Sequence, residues 1–139
     1  MTVPRIHPRW RVAGLVAAAL LLLSAVAFGG SYLTRASLLL AQATSDADYL
    51  RGRLGDKELA RLVHRLAAAR LDAAGKMEVP KEVAQAHPHL LLVLENYERA
   101  ADAAENSAPQ RFLIYQQRAR DEERTLRGVL KQLGWELPK

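Results

Sequence analysis

Apolar residues recur along this chain in two rhythms. From Val12 to Leu33 they run without a charge or a proline through 22 residues. At about 1.5 Å per residue that is roughly 33 Å of helix, enough to cross a hydrocarbon core. Beyond it they repeat at the three-and-four spacing of helices that are apolar on one side. The first rhythm predicts a single transmembrane helix over 12–33, preceded by a tail, 1–11, that is broken by Pro4 and Pro8. Trp10 and Tyr32 fall where interfacial aromatics belong. A second reading is an export signal cut after Ala25-Val26-Ala27, leaving a chain that starts at Phe28. The run continues past that point to Leu33, which favours an anchor that is kept.

The second rhythm begins with a proline-free stretch, 34–55, expected to extend the anchor as a helical stalk. Leu33, Leu40, Ala47 and Leu54 repeat there every seven residues, so the seam either pairs with another helix or packs on the domain. The domain itself is expected over 56–139. Asp56 reads as an N-cap, and Leu59, Leu62, Val63 and Leu66 then follow helical spacing up to Gly75. A loop around Pro80 leads to a second start at His87-Pro88, and Leu90, Leu94, Tyr97, Ala101 and Ala104 mark the inner face of the next helix. Asn106 to Pro109 is a turn, with Ser107 and Gln110 at capping-box spacing. Phe112, Ala119, Leu126 and Leu133 then recur every seven residues until Gly134, after which Trp135 can fold back. The expected fold is all-α, with a three-helix bundle or helical hairpin after the transmembrane helix.

Composition narrows the functional classes. Aromatic residues are 6% of a chain dominated by Ala and Leu, which suits helices, and the absence of cysteine excludes disulfides and thiolate metal sites. The pI near 9.9 suggests nucleic acid until the charges are located. Without Arg5, Arg9, Arg11 and Arg35, which flank the apolar run, the 20 basic residues fall to 16 against 15 acidic ones. The folded part is nearly neutral, so no nucleic-acid footprint is expected. The same three leading arginines set the N-terminus in the cytoplasm and the rest outside the inner membrane, in a periplasmic or extracellular position.

Candidate chemistry is sparse. Glu122 falls on the inward side of the last helix where a leucine would be regular. An antiparallel hairpin would bring it level with Glu95, and His64 could reach the same height, giving two carboxylates and an imidazole as a candidate metal site. His87 and His89, on either side of Pro88, are a second candidate pair. The run RARDEERTLR is a solvated face with Arg118–Glu122 and Glu123–Arg127 at ion-pair spacing. No phosphate loop or nucleophile elbow occurs, so no enzyme activity and no cofactor are expected. The expected function is that of a single-pass anchored protein whose external helical domain binds a protein partner or a second copy, as an accessory or assembly subunit of an envelope complex. Tyr97, Phe112, Tyr115 and Trp135 are its candidate contact residues. The alternative is a periplasmic metal or ligand sensor built on the same bundle.

Overall fold

Each helix expected beyond the apolar run forms, the stalk included. The computed structural model describes residues 31–139. The tail 1–11 and residues 12–30 of the expected transmembrane helix lie outside the described residues; within them, no helix is long and apolar enough to cross a membrane. The described residues are all-helical: α1 (Tyr32–Arg51), α2 (Lys57–Gly75), a short 3₁₀ turn (Lys81–Val83), α3 (His87–Glu105) and α4 (Pro109–Gln132). No strand occurs among them.

The expected stalk is the first helix of the bundle. Tyr32, Ala36, Leu40, Ala43, Ala47 and Leu50 line one side of α1 and are all buried in the core of the same chain. The seven-residue seam is therefore used within one molecule, with Leu33 and Leu54 packed at its margins. Tyr32, expected at a membrane interface, is only 5% exposed in this core. The bundle has four helices rather than three, and it begins at Tyr32 rather than at Asp56. The reason is physical: an Ala-rich stripe at three-and-four spacing buries well only against neighbouring helices, and three such helices alone cover too little apolar surface.

Contacts between helices fix the topology. Tyr32 meets His87 and Thr44 meets Tyr97, so α1 and α3 run parallel. His64 meets Glu105 and Glu98, and His89 meets Glu122, so α2 and α4 run against α3. The chain therefore passes up, down, up and down. At one end, the Tyr32 end, Leu40, Leu90, Val93, Leu94, Leu126 and Leu130 form the larger core. Towards the opposite end, Leu50, Val63, Ala100, Ala104 and Phe112 form a smaller one.

Helix ends follow local chemistry. Asp56 caps α2, its side chain accepting from the Leu59 N–H at 3.0 Å. Ser107, expected to cap α4, instead ends α3: its φ is +57°, its N–H reaches the Ala104 carbonyl, and the Ala108 N–H reaches Ala103. This is a Schellman closure with serine where glycine is usual, and α4 starts from Ala108 without a side-chain cap. Gly134, at φ +86°, closes α4 in the same way, with the Trp135 N–H on the Leu130 carbonyl at 2.9 Å. The tail then returns along α1, where the Ser37 hydroxyl donates to the Pro138 carbonyl at 2.8 Å and Leu137 is buried.

Candidate functional site

Among the described residues, no group of three His, Asp or Glu is placed to hold a metal ion. The expected trio is dispersed. Glu95 pairs along its own helix with Arg99 at 2.5 Å. Glu122 is indeed drawn inward, but its partner is His89, whose Nδ1 lies 2.5 Å away. His64 sits nearer the Phe112 end, on Glu98 and Glu105. The hairpin count put Glu122 level with Glu95, whereas its contact is His89, six residues earlier on α3, and nothing in the sequence fixed the height of α2.

His87 and His89 also part company. The His87 Nδ1 is 2.9 Å from the Tyr32 hydroxyl, with the two rings edge to face, and its ring also meets the Ala74 carbonyl. Three helices thus meet at one imidazole. Burial lowers the His87 pKa from its ordinary value, and burial raises that of Tyr32 to about 12. His89, two residues on, faces α4 instead.

His64 has the most defined electrostatic surroundings. Its Nδ1 is 2.7 Å from a Glu105 oxygen and its Nε2 is 2.7 Å from a Glu98 oxygen. Glu98 and Glu105 are two turns apart on α3, so one imidazole bridges them end to end. Burial pulls the His64 pKa down, but the Glu105 and Glu98 hydrogen bonds, aided by the charges of Glu98 and Asp102, outweigh it and raise it overall. Glu105 is correspondingly lowered, first by the His64 bond.

A polar layer crosses the bundle beside the smaller core. The Gln116 amide, 2% exposed, donates to Asp48 Oδ1 at 2.9 Å, and Arg120 donates to the same oxygen at 2.8 Å. Thr44 and Tyr97 share a 3.1 Å hydrogen bond, and Arg70 pairs with Asp46 between α2 and α1. Gln116 was not foreseen, since its polarity hid a position four residues after Phe112 and three before Ala119.

The expected contact residues divide between core and surface. Tyr97 and Phe112 are 3% and 0% exposed, so as core residues they cannot meet a partner. Tyr115 is partly buried, with Arg118 5.4 Å from its ring centre, and Trp135 is 42% exposed. Exposed apolar side chains occur on every helix, and α2 carries them in a row. Leu62 and Leu66 are 47% and 41% exposed, and Ala69 and Ala73 continue their line in the open. The same helix buries Ala60, Val63, Ala67 and Ala74, with Leu59 and Leu71 partly buried beside them, so two of its leucines face outward while alanines face inward. On α4, the pair Glu123–Arg127 forms as expected at 2.7 Å, whereas Arg118 leaves Glu122 to His89.

Comparison with family models, with curated proteins and with solved structures finds no match.

Proposed function

We propose that this chain is a single-pass, membrane-anchored docking protein: the charge-free run 12–31, which ends where the bundle begins, holds it in the inner membrane, and the four-helix bundle outside receives a protein partner. The observation that carries the docking half is the outer row of α2, which exposes Leu62 and Leu66 on a helix that buries Ala60, Ala67 and Ala74. Aliphatic side chains spaced by four, three and four along an open helix face are suited to cover by another helix. The anchoring half rests on the sequence, where Arg5, Arg9 and Arg11 precede the run and every acidic residue follows it. The work this assigns to the domain is assembly: presenting a helix face at a fixed membrane surface.

A photo-activatable cross-linker at Leu66, with a second at Gln132 as a control, tests docking in native membranes. A discrete adduct from position 66 and none from 132 supports the reading; equal, diffuse labelling from both overturns it. Intact mass of the native protein tests the anchor. A full-length mass that stays in carbonate-washed membranes is expected, whereas a soluble species beginning at Phe28 would reassign the run as an export signal.

A further inference from the structure

The α2–α3 seam is closed on one side by small residues. From α2 come Ala60, Val63 and Ala67, and from α3 come Ala100, Ala101 and Ala104. Alanines let two helices approach closely, but each removes little apolar area from water. Leu62 and Leu66 do not contribute, because they are exposed, and Leu59 and Leu71 are only partly buried against the core. Apolar burial along this seam is therefore modest. Ionic contacts also cross it: His64 to Glu98 and Glu105, and Arg61 to Glu105 at 3.5 Å.

The His64 contact is sensitive to one proton. An ionised carboxylate only accepts hydrogen bonds, and a neutral imidazole has one N–H and one bare nitrogen. Both ring nitrogens of His64 lie 2.7 Å from carboxylate oxygens, so both bonds exist together only on the imidazolium. Removing its proton leaves a nitrogen lone pair against a carboxylate, and the two glutamates lose the charge between them. The charged groups acting on the ring are Glu98, Asp102 and Glu105 from α3. On its own helix, Arg61 shares Glu105 with it. One arginine at the margin cannot replace the imidazolium at Glu98.

We propose that His64 is a proton-operated clamp between α2 and α3: its imidazolium holds the two helices together at both ring nitrogens, and loss of that proton releases this stretch of α2. The raised pKa of His64 sets the release on the alkaline side of the ordinary histidine range. The clamp is independent of the docking reading, since it concerns only groups inside the bundle.

The test uses the full-length chain in detergent micelles, with nitrogen-15 in its histidines. Between about pH 6 and pH 9 the His64 ring should stay doubly protonated past the ordinary histidine midpoint. Amide protection, corrected for intrinsic exchange, should fall around His64 and Glu98 as that ring titrates and hold around Leu126. Glu98→Gln should shift the His64 midpoint downward. His64→Arg, which keeps a charge at every pH, should abolish the loss of protection. A His64 midpoint at or below the ordinary value, or unchanged protection in α2 across its titration, overturns the clamp. Should His64→Arg fail to fold, the wild-type titration and Glu98→Gln still decide.

Discussion

Ser107 holds a left-handed backbone that glycine adopts freely and serine does not. Its side chain makes no cap bond to α4, so nothing is lost by removing it. Ser107→Gly should raise stability by about 1 kcal/mol, read as a higher denaturation midpoint with an unchanged slope. Gln116 is the opposite case, a buried amide whose acceptor belongs to a half-exposed aspartate. Asp48→Ala leaves that amide without its partner and should cost about 1–3 kcal/mol. Asp121→Ala, which removes a solvent-facing carboxylate that Arg124 and Gln117 hold low in pKa, should change the midpoint far less. Comparing the two variants by denaturant titration separates a carboxylate with a buried dependant from one without.

Helix by helix, legibility followed the size of the side chains. The inner faces of α3 and α4 were readable because Leu90, Leu94, Phe112 and Leu126 stand out from their neighbours, and all four are buried. Asp56 announced the start of α2 in the same way. α1 was mistaken for a stalk because its stripe contains Ala36, Ala43 and Ala47, which look alike on a buried and an open face, and because it abuts the apolar run. On α2 the row Leu59, Leu62, Val63 and Leu66 splits: Val63 is buried and Leu59 packs against the core, while Leu62 and Leu66 stay exposed and Ala60 and Ala67 turn inward. The partner carboxylates of His64 carried one usable signal, their spacing of seven on one side of α3, but no sequence feature tied α2 to that level. The split is measurable. Leu126→Ala should destabilise by about 2–5 kcal/mol, whereas Leu62→Ala should stay within about 0.5 kcal/mol and show its effect only on partner capture.

Across the whole molecule, two histidines pull pH dependence in opposite directions. His64, raised above its ordinary 6.5, contributes stability that is complete below that value and is lost as pH rises through its folded pKa. His87, lowered from the same value, resists protonation in the fold, so the unfolded chain takes up the proton first and stability is lost as pH falls below 6.5. Thermal melting at a series of pH values should therefore peak between 6.5 and the His64 midpoint, and His87→Gln should remove the part of the acid-side decline that begins near 6.5, leaving the part due to carboxylates such as Glu105 at lower pH. The meeting of Ser37 with Pro138 has a different consequence, for engineering. Since the last residues lie beside the first helix, a short linker from Lys139 to Tyr32 would span little distance, and the chain could be reopened at the Asn106–Ala108 turn without cutting a helix. Such a permutant carries both new ends away from the Tyr32 end, so a fluorophore or affinity handle fused there would report on the bundle from the side opposite Tyr32 and Lys139.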